Sequence, residues 1–186
     1  VHRMSDSGVN VKLLAKDRVG GCTGYFEWPT LCVATDREGW QEVFLHEYCH
    51  FKQTLDENRG KAVAYPLLRD ASYLKWAAWL SGKVDVSPRT ARRLRRGIQL
   101  MERDCDRRAI ATARHFELPI DIGAYTRHAN AYHLFYTVAE RHRSWYRTPP
   151  YEVPELLGMV PGNRLCRDYE HLPSGFEETV VAKCLR

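Results

Sequence analysis

The chain has 186 residues, 44% of them apolar and 27% charged, a globular balance that excludes wholesale disorder and fibrous repeats. No apolar run approaches the ~20 residues that cross a bilayer, and the first dozen residues lack the apolar core of a secretion signal, so a cytoplasmic protein with no membrane contact is expected. The net charge of +5 is mildly basic and its excess is gathered in RTARRLRRG at 89–97, whereas a nucleic-acid protein ordinarily shows a broader stripe with interleaved aromatics; a nucleic-acid partner is therefore not expected from composition.

The first 35 residues read as β structure. Val9, Val11 and Leu13 alternate with polar neighbours, GGCTG marks a turn, and GYFEW and TLCVAT are two short strands around Pro29. From Arg37 the period changes. Trp40, Val43, Phe44, Glu47, Tyr48 and Phe51 recur at helical spacing, with Asp36 as the expected N-cap and an end near Leu55. A second helix is predicted over 70–81, with Gly82 as its stop. Ser87 followed by Pro88 opens a third, which runs to about Phe116 on an apolar stripe of Leu94, Ile98, Met101, Cys105 and Ala109. A fourth covers roughly 121–146. The remainder, rich in proline and glycine, is expected to wrap as loops with one short strand near 179–182. No repeat or linker breaks the chain, so a single α+β domain over 1–186 is expected. It has three parts: a small antiparallel sheet with a packed helix (about 1–56), a helical part (57–147) and a wrap (148–186).

Residues 46–50 read HEYCH. On a helix His46 and His50 lie one turn apart on one face, so both imidazoles can reach one metal ion. Glu47 is turned about 100° from His46, beside the metal and not on it, where it can take a proton from a metal-activated water as general base. With eight histidines in the chain, a chance HExxH is roughly a 2% event, so its place inside a predicted amphipathic helix carries part of the weight.

A catalytic zinc takes a third protein ligand. Asp56 lies ten residues after His46, but a continuing helix puts it about 15 Å along the axis, out of reach. Glu102, in MERDCDRRA on the next long helix, is the better-placed candidate. Asp106, one turn on, is then expected to accept a hydrogen bond from the second nitrogen of a metal-bound histidine and so orient the ring.

HExxH followed on a second helix by ExxxD resembles the gluzincin arrangement, and more closely the small ImmA/IrrE-type zinc peptidases of phages and mobile elements. Glu102, Asp106, Ala109 and Pro119 are similar to that family's second helix and following turn. GYFEWPTLCVAT is similar to its sheet edge, and HEYCHFKQ and YTRHANAYHLFY resemble segments of phage and prophage metallopeptidases. The resemblance covers about residues 20–140. It implies a minimal zincin-like fold and a Zn2+ site of His46, His50 and Glu102, with Glu47 as base.

Other residues carry weaker expectations. Tyr125, His128, Tyr132 and Tyr136 share a helix, and one of them is expected to stabilise charge in the transition state, with Tyr132 first and His128 second. The six cysteines, at 22, 32, 49, 105, 166 and 184, include no CxxC pair, and reduced buried thiols are expected. A disulfide between Cys49 and Cys105 is the less ordinary alternative. The Arg89–Arg96 run reads as a solvated helix face. The function read from these residues is a zinc-dependent metallopeptidase acting on a peptide or protein substrate. The alternative is a non-catalytic, zinc-stabilised module that contacts an acidic protein or nucleic acid through the basic helix.

Overall fold

The computed structural model describes Met4, residues 6–58 and residues 71–185. It is an α+β structure with one three-stranded sheet and, among the described residues, six α-helices. The chain divides into two units, Val1–Val63 with Arg108–Ile120 and Ala64–Arg107 with Asp121–Arg186. Among the described residues no helix is long and apolar enough to cross a membrane.

In the first unit, strands β1 (Asn10–Leu14), β2 (Gly24–Glu27) and β3 (Thr30–Ala34) form a sheet in the order β1-β3-β2. The expected antiparallel sheet is corrected here to a mixed one. β2 and β3 are antiparallel because only Trp28 and Pro29, joined by a cis peptide, connect them. β1 instead pairs parallel to β3, from Asn10 opposite Thr30 to Leu14 opposite Ala34. The nine residues between β1 and β2 are long enough to carry the chain past the place that β3 fills, which a tight hairpin could not do.

β3 is buried on both faces. Leu31 and Val33 meet Val9 and Phe51, with Val43, Phe44, Tyr48 and Leu55 packed around them. Cys32 and Ala34 face the other way, under Val19, Leu14 and Cys22. The apolar stripe that packs on the sheet belongs to helix α1 (Trp40–Asn58). Gly39, at a φ of +75°, accepts from the amides of Glu42 and Val43 through its carbonyl, so the helix opens there. Asp36 is therefore not its N-cap; its own amide is bonded to Lys16 O instead.

The second unit holds α2 (Ala71–Leu80), most of α3 (Pro88–His115), α4 (Ile122–His142), a 3-10 turn at Pro150–Glu152, α5 (Pro154–Met159) and α6 (Phe176–Lys183). The expected start of α2 at Asp70 lies outside the described residues. Ser87 caps α3 as expected, its Oγ accepting from the amide of Thr90. α4 is capped by Asp121, which accepts from the amides of Gly123 and Ala124, and it ends at His142, four residues before the expected end, because the backbone turns left-handed at Arg143.

Trp76, Trp79, Leu94, Ile98, Phe135 and Tyr136 form the centre of this unit's core, closed by Leu156, Phe176 and Val180. The short strand expected near 179–182 is a helix. Its β-branched residues favour a strand, but Phe176, Val180 and Cys184 recur every four residues and all three are buried. That spacing buries one face only if the segment is helical, and the packing overrides the propensity.

Candidate metal centre

α1 carries the motif at its middle. Leu45, Cys49 and Phe51 are buried and hold the helix in place, leaving His46 and His50 half-buried on the adjoining face. The two Nε2 atoms lie 3.1 Å apart. Two imidazoles bound to one tetrahedral zinc at ~2.0–2.1 Å would have nitrogens about 3.3 Å apart, so the pair has the spacing a shared ion requires.

The tautomer also fits. His50 Nδ1 lies 2.9 Å from Gln53 Oε1, which can only accept, so Nδ1 carries the proton and a neutral ring presents a lone pair at Nε2. This pair could hold a metal ion. Imidazole donors suit zinc, copper, iron and nickel alike, so the donor set by itself selects no element.

Glu47 is buried at 8% exposure, between the two histidines in sequence. It lies near the start of β2: burial, and after it the charge of Glu47, push the Cys22 thiol above its ordinary value. A carboxylate held here is shielded from bulk water, the setting in which a general base works efficiently. α1 continues unbroken to Asn58, and Asp56 forms a 2.6 Å ion pair with Arg108 inside the first unit. The helix break that would bring Asp56 back to the histidines does not occur.

The remaining expected site residues belong to the second unit. Glu102 and Asp106 lie one turn apart on α3, both buried, with the buried Cys105 between them. Asp106 accepts from Tyr125 Oη at 2.6 Å on one oxygen and meets His133 Nε2 at 2.8 Å on the other. His133 is fully buried and was not singled out from the sequence. Its signal was the stripe Tyr125, Ala129 and His133 at four-residue spacing, where the alanine leaves room for a partner helix.

Tyr132 and Tyr136 share a hydrogen bond of 3.2 Å between their hydroxyls. Burial pushes both phenols well above their ordinary range. Tyr146 and Glu102 add to the effect on Tyr132, while Tyr132 and Glu102 add to it on Tyr136. Both remain proton donors at any physiological pH, in the electrostatic neighbourhood of Glu102. His128 is half-buried one turn before Tyr132 on α4.

A second feature escaped the sequence reading. Arg95, inside the basic run, is 1% exposed and not part of a solvated face. Its Nε pairs with Glu140, its Nη1 donates to Gln99 and Thr137 at 2.7 and 2.9 Å, and its Nη2 pairs with Glu170 at 2.7 Å. No disulfide joins the six cysteines. No family model, curated protein or solved structure matches this chain.

Proposed function

We propose that this protein is a zinc-dependent hydrolase of the HExxH type, zincin-like in its pairing of a small sheet with a motif helix, and that it cleaves a peptide bond. The observation that carries the reading is the 3.1 Å approach of His46 Nε2 to His50 Nε2, with Gln53 fixing the tautomer that leaves a lone pair available. Glu102 is proposed as the third ligand on its motif position. Cys105, one turn on along the same helix, is the competing donor.

A bound zinc ion would supply Lewis acidity, acidifying a water and polarising the substrate carbonyl. Glu47 takes the proton from the attacking water and delivers it to the leaving amine. β2 stands at one edge of the sheet, so an extended peptide could pair with it. The protonated phenol of Tyr132 is proposed as the donor to the developing oxyanion, with His128 as the second candidate.

Two measurements test this. Glu47→Gln should keep the bound metal and lose peptide cleavage by about 10²–10⁴-fold, the usual size of a general-base contribution. An unchanged rate rejects the mechanism. Metal content should fall in His46→Ala, in His50→Ala and in one of Glu102→Ala or Cys105→Ala. With cobalt in place of zinc, an intense thiolate charge-transfer band would assign the third position to Cys105 and remove it from Glu102.

A further inference from the structure

We propose that the exposed arginine face of α3 binds the phosphate backbone of a nucleic acid, without reading its base sequence. Arg89, Arg92, Arg93 and Arg96 fall within an arc of about 100° and span roughly 10 Å along the helix. All four are exposed, and none of them makes a hydrogen bond or ion pair to any described residue. Arg95 is turned inward between them and engages Glu140 and Glu170. Glu170 also feels the charges of Arg92 and Arg96, so one partly exposed carboxylate stands beside three guanidinium groups, Arg95 among them, and leaves a clear positive excess on the face.

The placement works against the helix. The first turn of α3 contains no acidic residue, and positive charge near a helix N-terminus opposes the macrodipole. Arg89 with Arg93, and Arg92 with Arg96, are like-charge pairs one turn apart, which destabilise a helix further. Internal packing offers no compensation, since the inward positions Ala91, Leu94, Arg95 and Ile98 do that work. A cluster that costs stability and makes no hydrogen bond or ion pair to the described residues is accounted for by an external anion.

The character of the face selects which anion. Every charged residue on it is arginine, whose planar fork binds phosphate oxygens in pairs. From Arg89 to Arg96 it exposes no aromatic or aliphatic side chain. A protein partner would need such a centre to supply binding energy, whereas a phosphate backbone does not. The missing aromatics, which spoke against a nucleic-acid partner in the sequence, speak only against stacking on single-stranded bases; contact with a duplex backbone needs none. This reading is independent of the metal centre and does not fall with it.

The test is fluorescence anisotropy of the 186-residue chain with a short mixed-sequence DNA duplex, and with a poly-glutamate peptide as competitor. Binding is expected to weaken about a hundredfold between 50 and 200 mM salt, as four phosphate contacts predict, and to be indifferent to duplex sequence. Arg89→Gln/Arg92→Gln/Arg93→Gln/Arg96→Gln should abolish it. The same variant should melt no lower than the parent, because the like-charge pairs it removes oppose the helix. Absence of duplex binding at 50 mM salt overturns the proposal, and so does binding that the quadruple variant retains. Tight capture of poly-glutamate with no duplex binding overturns it in favour of an acidic protein partner.

Discussion

Asp106 and His133 meet inside the second unit, Oδ2 to Nε2 at 2.8 Å, with both side chains almost sealed from solvent. Tyr125 completes the arrangement by donating to the other carboxylate oxygen at 2.6 Å. One oxygen of Asp106 therefore has a hydroxyl donor and the other lies against the imidazole, and the carboxylate ties α3 to α4 at the level of Glu102. Asp106→Asn keeps the shape but turns one acceptor into a donor facing a donor. The expected cost is about 1–3 kcal/mol, the penalty for a buried polar group left without its partner. Tyr125→Phe should cost about 1.5–3 kcal/mol, as for a hydrogen bond to a charged group. Urea midpoints at unchanged m-value measure both. Stability of Asp106→Asn equal to that of the parent would show that the pair does not hold the helices together.

Gln53 acts on the proposed metal through His50. The amide oxygen fixes the ring's proton on Nδ1 and its orientation. Groups that hold a metal-ligating histidine in this way are typically worth 10–100-fold in affinity. Gln53→Leu should therefore weaken zinc binding by about that factor with little effect on folding, while Gln53→Glu should retain or strengthen it. Competition with a coloured chelator reads the affinity directly. An unaltered affinity in Gln53→Leu would mean that the contact is incidental.

The parts of this molecule legible in the sequence are those set by short-range periodicity. HEYCH lies in mid-helix as expected, α3 starts at the Ser87–Pro88 signal, and the apolar stripe Leu94, Ile98, Cys105 and Ala109 faces inward. What escaped depends on partners distant in sequence. Arg95 looks like its exposed neighbours until Glu140 and Glu170 are seen beside it, 45 and 75 residues further on. His133 is one of eight histidines until Asp106 is placed against it. The direction of β1 is set by which edge of β3 was left open, and no local pattern encodes that. The C-terminal helix was hidden because Thr179, Val180 and Val181 carry strand propensity, while the burial of Phe176, Val180 and Cys184 rewards a helix.

The pH dependence of stability should show two separate limbs. Burial works to raise the Glu170 carboxyl, but the hydrogen bond from Arg95 and the charges of Arg95, Arg96 and Arg92 outweigh it and hold the group below its ordinary value. Its contribution is present above the unfolded carboxylate value and is lost as pH falls through the lower folded one. Glu170→Gln should therefore be less stable than the parent near neutrality, and the gap should close in acid. At the other end, burial raises the Cys184 thiol to about 11. The folded state keeps a proton that the unfolded chain releases near its ordinary value, so this contribution declines as pH rises from about 9 to 11. Cys184→Ala should show a shallower alkaline decline than the parent. Parallel declines would indicate that Cys184 titrates alike in both states.

Gly24 gives the sharpest steric prediction. It opens β2 opposite Val33, on the face of the sheet that receives α1. A Cβ added there would lie 2.6 Å from Val43 Cγ1 and 3.1 Å from the carbonyl oxygen of Cys32. The first distance is far inside van der Waals contact, and the second involves backbone that the β2–β3 ladder holds in place. A β-branched valine on a helix has few rotamers to retreat into, so the helix itself would have to move. Gly24→Ala should destabilise the protein by about 1–3 kcal/mol, although alanine normally improves on glycine within a strand. Because α1 carries His46 and His50, the same change should weaken metal binding. The paired substitution Gly24→Ala/Val43→Ala opens space for the new methyl and should recover metal affinity, while losing stability of its own through the smaller core residue. If Gly24→Ala binds metal like the parent and is as stable, the close approach of strand and helix is not what positions the histidine pair.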